Sequence, residues 1–143
     1  GLPTWLVAVC AEADRVTCRA LGRFGKQVGL CLQMHNDLNE LRLLVSEGSR
    51  PDDLRNARVT WPWAWASRRL PHQEFEVLRS LLGQRAPKLR ELQEIASILL
   101  AQTESYGVRV INRRLDAALT LTGEHVETTH ELRDSLSALR TIQ

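Results

Sequence analysis

Helical periodicity is the feature that most limits what this 143-residue chain can fold into. Apolar residues recur three or four positions apart in almost every window, whereas the alternation of Val, Ile and Thr typical of strands is nearly absent. A stripe of that period faces the core when the segment is an α-helix. The sequence therefore predicts an all-α fold, and its length and 43% hydrophobic content suit a single domain over residues 1–143.

Prolines, glycines and capping residues divide the chain into predicted helices. A first helix is predicted after Thr4, and a second, central helix from about Gly22 to Ser46. A loop at residues 48–51 then precedes a short helical turn that Asp52 and Asp53 can cap.

The second half of the chain keeps the helical stripe. Pro62 suits the first turn of a helix that runs to about Leu70, although the alternating tryptophans there would also suit a strand. Four later segments are predicted as helices. Breaks or bends are expected at Gly83, Pro87, Gly107 and Gly123.

Charge and cysteine content restrict the class of protein. The formal charge of +2, with Lys and Arg interspersed among Asp and Glu, argues against a nucleic-acid partner. No apolar run approaches the ~18–20 residues that a membrane span needs, and no signal segment opens the chain. The cysteines Cys10, Cys18 and Cys31 lack metal-site spacing and are expected to be buried free thiols. These features predict a soluble, cytoplasmic protein.

Residues 25–40 place polar side chains on one stripe of the central helix. These are Gln33, Asn36, Asp37 and Glu40, and the stripe runs back through Gly29 and other small residues. Oxygen-bearing side chains at positions i, i+1 and i+4 can converge on one hard cation. The face therefore suits a ligand or a closely packed helix, and the alternative is an ordinary solvated helix face.

Two blocks of the sequence resemble motifs of the trans-isoprenyl diphosphate synthases, the polyprenyl synthetase family. Residues 24–40 follow the pattern FG-x-x-x-G-x-x-x-Q-x-x-[DN]-D-x-x-[DE], which is similar to the second aspartate-rich motif of that family. Residues 53–62, DLRNARVTWP, resemble its D-L-R-x-G-K-x-T-x-P segment, in the same order and at a similar separation. The resemblance covers nearly the whole chain but only the C-terminal half of the family's fold, an isoprenoid-synthase-like helical bundle.

The resemblance implies a chemistry and a set of site residues. In the family, an allylic prenyl diphosphate ionises and is attacked by isopentenyl diphosphate, while Mg²⁺ and basic side chains stabilise the departing diphosphate. Carried over, Asn36, Asp37 and Glu40 are metal ligands, and Gln33 and Arg58 face the diphosphate. Arg58 stands where the family has a Lys. The resemblance implies no catalytic residue in this half.

Several positions depart from the family pattern. Asn36 replaces an Asp and removes a full charge, which weakens the expected Mg²⁺ site. Ala57 replaces a Gly, and Pro3 stands where a Lys precedes the Thr matched by Thr4. A terpene cyclase-like assignment fits less well, because Leu44 occupies the position where that metal motif has a carboxylate.

The largest departure is the lack of a D-D-x-x-D motif anywhere in the chain. The resemblance therefore implies an enzyme that is inactive alone and takes its first aspartate-rich motif from a missing N-terminal half or a partner chain. The alternative is a noncatalytic helical subunit or scaffold that pairs with a catalytic prenyltransferase. Since the central helix is apolar on more than one side, either hypothesis predicts an exposed apolar surface.

Overall fold

The described residues of the computed structural model, 12–49, 52–56, 58–83 and 87–123, fold into helices joined by short connections. No strand occurs in these ranges, so the all-α prediction is confirmed for them. Of the predicted segments, those before residue 12 and after residue 123 lie outside the described residues. None of the described helices is long and apolar enough to cross a membrane. The helices are α1 (Arg15–Glu47), α2 (Asp52–Arg55), α3 (Trp61–Arg69), α4 (His72–Leu82) and α5 (Leu89–Gly123).

The chain divides into two compact units, and both long helices contribute to each. The first unit contains the residues up to Gln33 and those from Val110 onward. Its described core is formed by α1 and α5, where Cys31 is buried and its thiol lies 3.7 Å from the carbonyl oxygen of Ile111. Burial raises the pKa of this thiol, although the charge of Arg114 opposes the shift, and both the burial and the raised pKa are typical of a cysteine that serves packing.

The second unit comprises Met34–Arg109 and contains an apolar core of buried side chains. Among the described residues of this unit, Thr103 is the one buried polar side chain. It donates a hydrogen bond of 2.6 Å to the carbonyl oxygen of Leu99, so the hydroxyl is satisfied within α5. A short ion pair joins α1 to α5, with 2.6 Å between Arg42 Nε and Glu104 Oε1. The core residues are Leu41, Leu44, Leu54, Ala66, Leu78, Leu82, Leu92, Ile95, Ala96 and Leu99.

Helix α1 begins at Arg15, well before the predicted start near Gly22, so that predicted boundary is wrong. Asp14 caps the helix, because its Oδ1 accepts hydrogen bonds from the backbone N–H groups of Val16 and Thr17 at 2.7 and 3.0 Å. The Thr17 hydroxyl donates to Asp14 Oδ2 at 2.7 Å. These bonds satisfy N–H groups that have no partner inside the helix, and Gly22 lies within it.

Helix α5 continues through Gly107, so the predicted break there is wrong. A Cβ atom at Gly107 would lie 2.8 Å from Cη2 of Trp65 and 3.1 Å from Cδ1 of Leu38. The glycine therefore serves the close approach of a buried tryptophan. Two of the other predicted interruptions agree with the helix ends, since Gly83 follows α4 and Pro87 precedes α5. Gly123 is the last described residue, so the interruption predicted there stays a prediction.

The apolar side chains of α1 are mostly covered within the described structure. Its exposed large apolar residues are Val16, Leu32 and Val45, which are 57%, 40% and 38% exposed and lie several helical turns apart. Single exposed apolar residues are common on protein surfaces. The large apolar surface expected on the central helix is therefore not found among the described residues of α1.

Candidate functional site

The polar stripe of α1 lies where the helical pattern predicts, but its members have different surroundings. Gln33, Asn36 and Glu40 are exposed, whereas Asp37 is half-buried. A Cβ added at Gly29 would meet no atom within 4 Å among the described residues, so the stripe faces open space at that position. Asp37 is therefore partly covered by the fold, whereas the other three polar residues of the stripe are in contact with solvent.

Asp37 caps helix α3. Its Oδ2 accepts a hydrogen bond of 2.8 Å from the backbone N–H of Trp61, the first residue of that helix. Thr60, at the N-cap position, makes no side-chain capping bond. A carboxylate at a helix N-terminus satisfies a free N–H group and interacts favourably with the helix dipole. Asp37 therefore supplies from α1 the cap that the local sequence of α3 does not provide.

The charge of Asp37 is held in an unfavourable environment. Burial raises the pKa of this carboxyl, the hydrogen bond from Trp61 acts in the opposite direction, and the nearby Asp53 carboxylate raises it further. The proton affinity of Asp37 is thus higher than that of an ordinary exposed carboxyl.

Arg58 lies on the same segment and pairs with Asp53. Its Nη1 is 3.1 Å from Asp53 Oδ1, and its backbone N–H donates to the Asp53 carbonyl oxygen at 2.8 Å. The side chains of Arg58 and Asp53 are 69% and 36% exposed. We refer to Asp37, Asp53, Arg58 and the backbone N–H of Trp61 as the α1–α3 cluster. It joins the two motif blocks in one part of the second unit.

The α1–α3 cluster offers few of the oxygen ligands that Mg²⁺ requires. Among the described residues, no three His, Cys, Asp or Glu side chains lie close enough together to hold a metal ion. Asp37 directs one oxygen at an N–H donor, and Arg58 places a cation against Asp53. The α1–α3 cluster therefore does not fit a Mg²⁺ ion held by protein ligands alone. The predicted ligand set of Asn36, Asp37 and Glu40 shares only Asp37 with this cluster, and Mg²⁺ binding by it stays a prediction.

The tryptophans of residues 61–65 belong to the packing of α3, so the helix predicted from Pro62 is found there and the strand that their alternation would also suit is not. The ring of Trp65 is buried and stands edge-on to the ring of Tyr106, with 5.9 Å between the ring centroids. The ring centroids of Trp63 and Phe75 are 5.1 Å apart. Arg69 adds a cation–π contact at 4.7 Å from the centre of the Tyr106 ring. Pro3, Thr4 and Ala57, which bear on the family pattern, lie outside the described residues.

Comparisons with protein-family models, curated proteins and solved structures find no match for this chain. The sequence pattern points to Asp37 and Arg58 but reveals neither the capping role of Asp37 nor the ion pair between Arg58 and Asp53. The only signal for the cap was the Thr-Trp-Pro sequence at residues 60–62, which predicts a helix start without identifying a partner.

Proposed function

We propose that this chain is the C-terminal, diphosphate-facing half of a trans-prenyltransferase with an isoprenoid-synthase-like bundle. Its first aspartate-rich motif would come from a missing N-terminal half or a partner chain, and its substrates would be an allylic prenyl diphosphate and isopentenyl diphosphate. The observation that supports this proposal most is the 2.8 Å hydrogen bond from Trp61 to Asp37, because it brings the two motif blocks together.

Arg58 is the residue of this half that would contact the diphosphate. Its guanidinium is largely exposed and can donate two parallel hydrogen bonds to phosphate oxygens. Neutralising the charge that develops on a departing diphosphate lowers the barrier to ionisation. Asp37 would act as a positioning residue, since it fixes the first turn of the helix that follows the Arg58 segment.

The remaining residues implied by the resemblance keep smaller parts in the proposal. Asn36 and Glu40 are exposed on the α1 face next to Asp37, where they could meet a cation that arrives with the diphosphate. Gln33 lies in the first unit and stays a predicted diphosphate-facing residue. No reaction step is assigned to a metal ion.

A second candidate function is the noncatalytic helical subunit. Two observations favour it: Asp37 is engaged as a helix cap, and Arg58 is engaged by Asp53. In this alternative the α1–α3 cluster only joins helices, and the chain stabilises or shapes a catalytic prenyltransferase without touching its substrate.

Arg58→Gln is expected to weaken binding of inorganic pyrophosphate to the whole chain by at least about fivefold, because a charge-assisted contact to phosphate is lost. Isothermal titration calorimetry, with and without Mg²⁺, measures the effect. The matched control is Arg79→Gln, since Arg79 is 68% exposed and pairs with Glu76 at 3.2 Å. The control variant should bind pyrophosphate like the unmodified protein.

If the unmodified chain does not bind pyrophosphate, or binds it equally well without the Arg58 guanidinium, the diphosphate role of Arg58 is wrong. The noncatalytic subunit is then the better hypothesis. A circular dichroism spectrum unchanged by each substitution would exclude unfolding as the reason for lost binding.

A further inference from the structure

We infer that Asp53 is a built-in competitor for the anion site at Arg58, so that a diphosphate has to displace an internal carboxylate before it binds. This inference rests on the proposed function and concerns the regulation of the same site. The contact that carries it is the ion pair between Arg58 Nη1 and Asp53 Oδ1, at 3.1 Å.

The backbone keeps the competitor in place. The N–H of Arg58 donates to the carbonyl oxygen of Asp53 at 2.8 Å, a bond that does not involve either side chain. The two residues therefore stay close when the ion pair opens, and the carboxylate remains at high effective concentration beside the guanidinium. An external anion competes with a group that cannot diffuse away.

The ion pair is nevertheless weak enough to be displaced. Its side chains are 69% and 36% exposed, and solvent screening leaves little net stabilisation in such pairs. Asp53 thus lowers the affinity of Arg58 for an anion but does not prevent binding. A ligand with several phosphate oxygens, held in two hydrogen bonds, can replace a single carboxylate contact.

Displacement has a consequence for charge. Once a diphosphate binds Arg58, the ion pair between Arg58 and Asp53 is broken. The Asp53 carboxylate then repels the bound anion as well as the Asp37 carboxylate. Repulsion among these negative groups weakens binding unless a cation is also present. Pyrophosphate binding by the unmodified chain should therefore depend more strongly on Mg²⁺ than binding by a variant that lacks the Asp53 charge.

The test is calorimetric titration of the whole chain with inorganic pyrophosphate, in EDTA and then in Mg²⁺. Asp53→Asn is expected to bind pyrophosphate about two- to fivefold more tightly in EDTA, because an exposed ion pair no longer competes. It should also gain less from Mg²⁺. The matched control is Glu76→Gln, whose carboxylate is 41% exposed and pairs with Arg79; this variant should leave pyrophosphate binding unchanged.

The alternative outcomes separate the inference from the proposed function. Equal affinity in the Asp53→Asn variant and the unmodified chain, with weaker binding by Arg58→Gln, would overturn the competitor role alone. Weaker binding by Asp53→Asn in Mg²⁺ would also overturn it, since Asp53 would then be a cation ligand. No binding by any variant would reject the diphosphate function and the inference with it.

Discussion

Replacing Gly107 with alanine is expected to destabilise the second unit by about 1 to 3 kcal/mol, which is the usual penalty for inserting a methyl group into a filled core. The new Cβ would lie 2.8 Å from Cη2 of Trp65, and the ring has no open space because Trp65 is only 6% exposed. Leu38 closes the site on another side, with its Cδ1 3.1 Å from the same position. Helix α3 or the Trp65 side chain would have to move.

Urea unfolding followed by tryptophan fluorescence gives the change in free energy, and Gly29→Ala is the matched control. Gly29 also lies inside a long helix, but a Cβ there meets no atom within 4 Å. Gly29→Ala should stabilise α1 by up to about 1 kcal/mol, because alanine has a higher helix propensity than glycine. Equal effects at the two glycines would contradict the close packing of Trp65 against α5.

A second substitution tests the contact itself. Trp65→Leu removes the ring that opposes position 107. Gly107→Ala should therefore lower the free energy of unfolding less in the Trp65→Leu variant than in the unmodified chain. Additive losses would show that the cost of the added methyl group arises elsewhere than at Trp65.

Gly107 also shows where sequence reasoning about the fold reaches its limit. The periodicity of apolar residues correctly predicts helical structure on both sides of it, and Gly83 does stand at a helix end. A missing Cβ can end a helix or allow a close neighbour, and the two uses look alike along the sequence. Only the position of Trp65, more than forty residues earlier in the chain, distinguishes them.

The start of α1 was missed for a different reason. Asp14, followed by Thr17, forms a local capping arrangement that could have been recognised from sequence, since both residues lie within one turn. The predicted boundary lies instead near the glycines at positions 22 and 25, which have low helix propensity. Local hydrogen bonding was thus more informative than helix propensity at this end.

The candidate site was predictable only in part. The helical period placed Asn36, Asp37 and Glu40 on neighbouring positions of one helix, and the resemblance placed Arg58 near them. Neither could show that Asp37 turns toward Trp61, because the hydrogen bond spans 24 positions and depends on how α3 packs. The ion pair between Arg58 and Asp53 depends on loop conformation, which residue spacing leaves undetermined.

Asp37→Ala is expected to destabilise the second unit by about 1 to 2 kcal/mol, because the N–H of Trp61 loses its acceptor at the start of α3. Asp37→Asn should have little effect at neutral pH or should stabilise the unit. The amide oxygen can accept the same hydrogen bond without a partly buried charge and without repulsion from Asp53. Urea unfolding of the three proteins under identical conditions measures both effects.

The pH dependence of these stabilities tests the same assignment independently. Burial raises the pKa of Asp37 in the folded protein, so the folded state binds this proton more tightly than the unfolded state. The stability of the unmodified chain therefore falls, through this group, as pH rises from the unfolded to the folded pKa. Asp37→Asn removes that loss, so its stability relative to the unmodified chain should increase across the same interval.

Asp14 changes the pH dependence of stability in the opposite direction to Asp37. The effect of Asp37 therefore has to be measured as a difference between the variant and the unmodified chain. Hydrogen bonds from Thr17 and Val16 lower the pKa of Asp14, so its contribution to stability is present at neutral pH and disappears in acid. Both proteins share this group, and subtracting their unfolding free energies cancels it. Parallel pH profiles, or an Asp37→Asn variant as unstable as Asp37→Ala, would show that Asp37 does not cap α3 as a desolvated carboxylate.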